Sequence, residues 1–242
     1  MPTTTTRRPA PMREAAVTDA DVAARRARAR RLAGLYALTP DENDTAMLLA
    51  KVRAALEGGA TAIQYRHKTA APALRREQAA ALARLHAARG ALFIVNDDPE
   101  LAAAVGADGV HVGADDGSIV AARERVGPAR LVGVSCYDDL ARAEAAVREG
   151  ADYIAFGSFF ASATKPAARR ADLPLLSRAR ALGVPVVAIG GIDAGNARTL
   201  IDAGADALAV IRAVFDHDDP AAIVNAAIAI AARFPASARS LS

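Results

Sequence analysis

The feature that most limits what this chain can fold into is a repeat. From Gly34 onward, short apolar runs alternate with Ala-, Arg- and Leu-rich segments of helical pattern. The runs cover residues 34–39, 62–66, 92–96, 109–112, 131–135, 153–157, 186–189 and 207–211. Continuous apolar runs of this length suit parallel strands covered on both faces. Gly-Ala stands at the entry to every even-numbered run, at Gly59, Gly106, Gly150 and Gly204. Each interval between these glycines holds two strand–helix units. Helix starts are marked too. Asp44 is placed to cap a helix beginning at Thr45, and Asp98-Pro99 supplies a cap followed by Pro at the first helical position. Eight such units predict an α/β fold, a single (β/α)8 TIM barrel over residues 31–242, with an N-terminal extension over residues 1–30. An open doubly wound sheet would more often carry a Gly-rich phosphate fingerprint after its first strand. Tyr36-Ala37-Leu38-Thr39-Pro40 carries none.

Within the extension, residues 1–12 are rich in Thr, Pro and Arg and read as disordered. Residues 19–32 read as an Arg-laden, solvated helix. No apolar run reaches the length of a membrane span. A formal charge of +3 with scattered basic residues argues against nucleic-acid binding. The single cysteine, Cys136, rules out an internal disulfide and any multi-cysteine metal site, and fits a reducing cytoplasm.

In such a barrel the active site lies at the C-terminal ends of the strands. The basic residues there stand out. Of 30 Lys and Arg residues only Lys51, Lys68 and Lys165 are lysines, and the last two follow strand ends. The second run carries Gln64, Arg66 and Lys68 at spacing two, which puts them on one face and Ile63, Tyr65 and His67 on the other. Polar groups on a buried face need partners, and an anionic ligand supplies them. Asn96 and Asp97 end the third run, and Asp115 and Asp116 follow the fourth. Carboxylates beside a phosphate-binding pair suit Mg2+, which takes one or two carboxylates plus substrate phosphates. Asp98 is accounted for by capping. Ser135 ends the fifth run and is a candidate donor to phosphate, whereas Cys136 packs. The loop after the sixth run holds Ser162, Thr164 and Lys165. Gly190-Gly191 and Ile211-Arg212 end the seventh and eighth, where these barrels usually bind phosphate. Asp108, Asp152 and Asp206 precede strands and belong to the opposite face, with a structural role. His111 reads as a hydrogen-bonded core residue, and His86 and His217 as solvated. The tally suits two phosphorylated ligands, one of them a diphosphate chelated to Mg2+.

From Leu35 to Phe234 the chain resembles the thiamine-phosphate synthase family. The motifs that carry the resemblance are Gln64-Tyr65-Arg66-His67-Lys68, Phe93-Ile94-Val95-Asn96-Asp97, the Gly106–Gly113 stretch, Gly133-Val134-Ser135, Thr164-Lys165 and Ala188-Ile189-Gly190-Gly191-Ile192. The resemblance implies coupling of 4-amino-5-hydroxymethyl-2-methylpyrimidine diphosphate with 4-methyl-5-(2-phosphoethyl)thiazole, by departure of diphosphate before attack of the thiazole nitrogen. It implies that Gln64, Arg66 and Lys68 bind the pyrimidine diphosphate and that Asn96 contacts substrate. Asp97 and Asp116 are the implied Mg2+ ligands, and Ser135 and Lys165 the implied diphosphate contacts. Ser162, Thr164, Gly191, Ile211 and Arg212 fall on the thiazole-phosphate side. Arg66, Lys68, Ser135 and Lys165 are the implied catalytic set.

The chain departs from the family pattern at four positions. Ala114 stands for a usual Gln, Ser158 for Pro, Ser162 for Thr, and Arg212 for a small residue, often Ser. These changes keep open a paralogue that isomerises or senses thiazole phosphate. A sugar-phosphate isomerase or aldolase is a second alternative, with Lys165 as its Schiff-base candidate. The expected partners are phosphorylated small molecules, with neither nucleic acid nor membrane; a homo-oligomer is left open.

Overall fold

The structure, a computed structural model, describes residues 17–87, 89–113, 117–161 and 170–235. The disorder expected for residues 1–12, and the roles expected of Ala114, Asp115, Asp116, Ser162, Thr164 and Lys165, lie outside the described residues.

A helix, α1 (Asp19–Arg30), precedes the first strand, β1 (Gly34–Leu38). The first half of the barrel continues α2 (Thr45–Glu57), β2 (Ala60–Tyr65), α3 (Pro72–Ala87), β3 (Leu92–Asn96), α4 (Pro99–Val105), β4 (Gly109–Val112) and α5 (Ile119–Val126). The second half runs β5 (Leu131–Tyr137), α6 (Leu140–Arg148), β6 (Tyr153–Phe156), α7 (Leu173–Ala179), β7 (Val186–Ile189), α8 (Ala197–Asp202) and β8 (Ala207–Val210), followed by α9 (Arg212–Phe215) and α10 (Pro220–Ala231). All eight strands are parallel and close in sequence order, with β1 pairing both β2 and β8. The expected (β/α)8 barrel is therefore the observed one.

Strand alternation divides the core into two layers. Leu35, Ile63, Phe93, Val110, Val132, Ile154, Val186 and Leu208 face outward and pack under the helices. Tyr36, Ala62, Ile94, Leu131, Tyr153, Val187 and Ala209 face inward and fill the barrel. The helices start where their caps allow. Asp44 Oδ1 accepts from the N–H groups of Ala46 and Met47, at 2.8 and 3.1 Å, and Asp98 Oδ1 accepts from Leu101 N at 2.8 Å.

The Gly-Ala entries share one device at the bottom of the barrel. The next residue is Thr61, Asp108, Asp152 or Asp206. Each aspartate accepts from the N–H of a residue in or at the start of the preceding strand, namely Phe93, Val132 and Val186, at 2.8–2.9 Å. Each also returns its own N–H to the carbonyl of that same residue at 2.8 Å. Thr61 donates instead to Ala33 O at 2.7 Å. The carboxylates thus satisfy strand-end donors, which bears out their structural assignment.

Helix α1 is not a solvated appendage. Arg25 Nε pairs with Asp152 Oδ1 at 2.8 Å, and Arg28 Nε with Asp108 Oδ1 at 3.1 Å. Their Nη1 atoms donate to Pro128 O and Ala129 O. Ala29 and Leu32 are buried against the inward-facing layer. The composition misled because an Arg-rich helix reads as a surface one; here the arginines reach the aspartates that ring the barrel's open end. The combined change Arg25→Ala, Arg28→Ala is expected to destabilise by about 2 kcal/mol. For a chain of this size that lowers Tm by about 4–8 °C in thermal unfolding. An unchanged Tm would show that α1 does not brace the barrel.

His86 also differs from expectation. It is 4% exposed, stacks on Phe93 at 5.1 Å and bonds Leu82 O through Nδ1 at 3.0 Å. Burial holds its pKa below the ordinary histidine value. Position 86 falls on the face of α3 that packs on the sheet. His217 is exposed, as expected.

Candidate active site

The strand C-terminal ends open onto one cavity of about 1190 Å³. Gln64, Arg66, Lys68, Asn96, Asp97, Ser135, Gly191, Ile211 and Arg212 all line it. Every expected site residue that lies within the described residues is therefore in the same cavity.

The parity argument holds within β2, where Gln64 and Tyr65 face opposite ways. Tyr65 points outward, where its hydroxyl donates to Gln78 Oε1 of α3 at 2.9 Å. Gln64 points inward and is 2% exposed. The strand ends at Tyr65, so Arg66 and Lys68 are positioned by a loop. Thr39 Oγ1 donates to Arg66 O and accepts from Arg66 N, both at 2.9 Å. Asp41 Oδ1 accepts from Lys68 N at 3.1 Å and lies 3.4 Å from Arg66 Nη1. Asp41 is a residue that sequence reasoning missed. Its signal was a carboxylate after the first run, next to the second in a closed barrel.

Asp97 sits immediately after β3 with φ of 60°, a left-handed conformation that Asp tolerates better than most residues. Its N–H donates to His111 O at 2.8 Å, which holds the turn. That turn aims the carboxylate at the mouth, where Oδ2 accepts from Lys68 Nζ at 3.0 Å. Among the described residues no three His, Cys, Asp or Glu side chains cluster as a metal site. Mg2+ does not need such a cluster, since it is bound by one or two carboxylates with substrate phosphates. The oxygen donors of Asp97 and Asn96, with no thiol among the cavity residues, suit that ion.

Tyr36 and His111 line the cavity, Tyr153 bonds both from within the barrel, and none of the three was foreseen there. Tyr36 OH accepts from Gln64 Nε2 at 2.8 Å and lies 3.1 Å from Tyr153 OH. Tyr153 OH lies 3.1 Å from His111 Nδ1, and His111 Nε2 lies 2.9 Å from Ser135 Oγ. His111 is hydrogen-bonded and 7% exposed, as expected of a core histidine, but it also lines the cavity. Gly133 makes room for the ring, because a Cβ there would lie 1.9 Å from Tyr153 Cζ. Gly133→Ala is expected to destabilise by about 1–3 kcal/mol and to lower activity by displacing Tyr153, read by thermal unfolding and steady-state rates. Wild-type behaviour would mean that the ring is free to shift. Arg142 of α6 is another missed cavity residue. It donates from Nε to Ser135 O at 2.9 Å and stacks over Tyr137 at 5.5 Å. Cys136 is fully buried, and burial pushes its thiol up to about 12, in keeping with a packing role.

At the opposite end, Gly191 has φ of 65°, and a Cβ there would meet Ala161 O at 2.4 Å. Arg212 donates from Nε and Nη2 to Asp216 Oδ2 at 3.2 and 2.8 Å. Its guanidinium is thus held one turn along the chain by a carboxylate that also lines the cavity.

The cavity thus joins a basic cluster with a carboxylate beside its lysine to a glycine turn and a second arginine. The comparisons with known proteins give the family. The family model for thiamine monophosphate synthase matches residues 35–214. The chain belongs to the thiamine-phosphate synthase family. A thiamine-phosphate synthase of Chromobacterium violaceum is 57% identical over 196 residues, covering 81% of this chain and 95% of the relative. That of Thiobacillus denitrificans is 58% identical over 187 residues, covering 77% and 89%. The solved thiamine phosphate pyrophosphorylase of Pyrococcus furiosus superposes with a TM-score of 0.74 at 36% identity, over 84% of this chain and 96% of that one. Membership in the thiamine-phosphate synthase family makes this chain a transferase.

Proposed function

We propose that this chain joins 4-amino-5-hydroxymethyl-2-methylpyrimidine diphosphate to 4-methyl-5-(2-phosphoethyl)thiazole, giving thiamine phosphate and diphosphate. The observation that carries the reading is the convergence of Arg66, Lys68, Asp97 and Ser135 on a single cavity whose wall also holds Gly191 and Arg212. Asp97, with Asp116, is the proposed Mg2+ site. That ion, when bound, supplies positive charge to the leaving diphosphate. Arg66, Lys68, Ser135 and Lys165 meet the same charge as it develops. The pyrimidine amino group feeds electrons into the ring and stabilises the cation left on the methylene carbon. The thiazole nitrogen then attacks that carbon. No proton has to be removed, so no general base is needed. Ser162, Thr164, Gly191, Ile211 and Arg212 hold the thiazole phosphate. Among the described residues no helix is long and apolar enough to cross a membrane. We place the reaction in the cytoplasm, in keeping with the single buried cysteine.

The reading is tested by product identification. Incubation with both substrates and Mg2+ should give thiamine phosphate, and omission of either substrate should give none. A covalent adduct with a sugar phosphate, trapped by borohydride on Lys165, would favour the aldolase reading instead. Arg212 supplies a finer test. Arg212→Ser is expected to change KM for thiazole phosphate about tenfold and KM for the pyrimidine diphosphate less than twofold, the loss of one charged phosphate contact. Equal effects on both would place Arg212 outside the phosphate subsite.

A further inference from the structure

Five side chains form an unbroken hydrogen-bonded line through the barrel, in the order Gln64, Tyr36, Tyr153, His111, Ser135. They come from β2, β1, β6, β4 and β5. The line runs across the interior, since β1 is bonded in the sheet to β2 and β8, not to β6. Its two ends, Gln64 and Ser135, are residues that the family resemblance assigns to the pyrimidine diphosphate. The three middle residues have no role in that account.

Counting protons limits what this line can do. A hydroxyl has one proton to donate, and so has a neutral imidazole. Burial pushes both phenols well above their ordinary range, so each keeps its proton. Both phenols are buried and have no other acceptor among the described residues, so each spends its proton within the line, and for a neutral His111 two orders remain. In the first, the Gln64 amide donates to Tyr36, Tyr36 to Tyr153, Tyr153 to His111 Nδ1, and His111 Nε2–H to Ser135 Oγ. The Ser135 proton is then left to point into the cavity, and Gln64 keeps its acceptor Oε1 for a ligand. In the second, every bond reverses. Ser135 spends its proton on His111, and Gln64 turns its NH2 toward the ligand.

We propose that Tyr36, Tyr153 and His111 are positioning residues that hold the line in the first order, so that recognition of an amine at Gln64 and of an anion at Ser135 is a single coupled event. This rests on the proposed function, with Gln64 taken as the aminopyrimidine contact and Ser135 as the diphosphate contact. An anion at Ser135 needs a donor. An exocyclic amine at Gln64 needs an acceptor. The first order offers both, and the second offers neither. A ligand that lacks one of the two groups loses the selection at both ends.

The test is a mutant cycle on kcat/KM for the pyrimidine diphosphate at saturating thiazole phosphate, with Tyr153→Phe, Ser135→Ala and the pair. Tyr153→Phe removes one hydroxyl and little volume. It is expected to lower kcat/KM about tenfold in the wild-type background, the worth of one buried hydrogen bond. In the Ser135→Ala background the same change should lower it less than twofold, because the group it positions is gone. An equal loss in both backgrounds would reduce Tyr153 to a packing residue and overturn the proposal. If Tyr153→Phe fails to fold, Tyr36→Phe breaks the line one link earlier, with the same expected pattern. A second readout is independent of turnover. Nitrogen-15 NMR of histidine-labelled protein, with His111 assigned through His111→Asn, should show the Nε2–H tautomer. An Nδ1–H tautomer or an imidazolium would overturn the proposed order. A wild-type protein that makes no thiamine phosphate would sink the functional reading instead, and the tautomer would still decide the order of the line.

Discussion

Asp97→Ala is expected to lower kcat/KM by at least about 100-fold and to flatten its dependence on Mg2+. The carboxylate is fixed at the mouth by a left-handed turn and by the Asp97 N–H to His111 O bond. Removing one preorganised electrostatic contact to a developing charge typically costs about 100- to 1000-fold. Ala is also strained at a φ of 60°, by roughly 1 kcal/mol. Asp97→Asn is therefore the companion variant: it tolerates the turn and removes only the charge. Diphosphate release across a Mg2+ titration checks both. Ordinary activity in Asp97→Asn, with an unchanged Mg2+ requirement, would remove Asp97 from the metal site.

Lys68→Ala is expected to lower kcat about 100-fold while leaving Tm within about 2 °C of wild type. The two halves of this prediction have different causes. The Lys68 side chain is 53% exposed and its pair with Asp97 lies at the cavity mouth. Exposed ion pairs contribute about 0–1 kcal/mol to stability, so folding hardly notices the loss. Charge stabilisation in the transition state is another matter, because a departing diphosphate carries more negative charge than the bound ester. Lys68→Arg should recover only part of the rate, since a planar fork does not reproduce a compact ammonium. Single-turnover and steady-state rates with matched thermal unfolding separate the effects. A fall in Tm that accounts for the lost rate would make Lys68 a structural residue. Because Lys68 and Asp97 touch, their double variant should fall short of the product of the single losses.

The barrel was legible because its signal is repeated. Each strand buries both faces and leaves a continuous apolar run, and the runs at 92–96, 109–112 and 186–189 coincide with β3, β4 and β7. The basic half of the site was legible for a related reason. Alternation along β2 separates Gln64 from Tyr65, and a charged residue at the end of a buried strand has few structural excuses. Other members were hidden by the same logic. Tyr36 and Tyr153 occupy inward positions where an aromatic reads as packing, and only the closed barrel brings their hydroxyls within 3.1 Å of each other. Asp41 and Arg142 lie on a loop and a helix, where charge is ordinary. Helix α1 was misjudged because its partners, Asp108 and Asp152, are far away in sequence. Arg212 lies in the cavity as expected, but its pairing with Asp216 follows from the turn of α9, for which the sequence offered no helix signal.

The most direct test of the account is diphosphate release, with both substrates and with each alone, in the presence and absence of Mg2+. The account predicts release that requires Mg2+ and both substrates together, with thiamine phosphate formed in equal amount. Thiazole phosphate bound without any release, or release that ignores Mg2+, would contradict it.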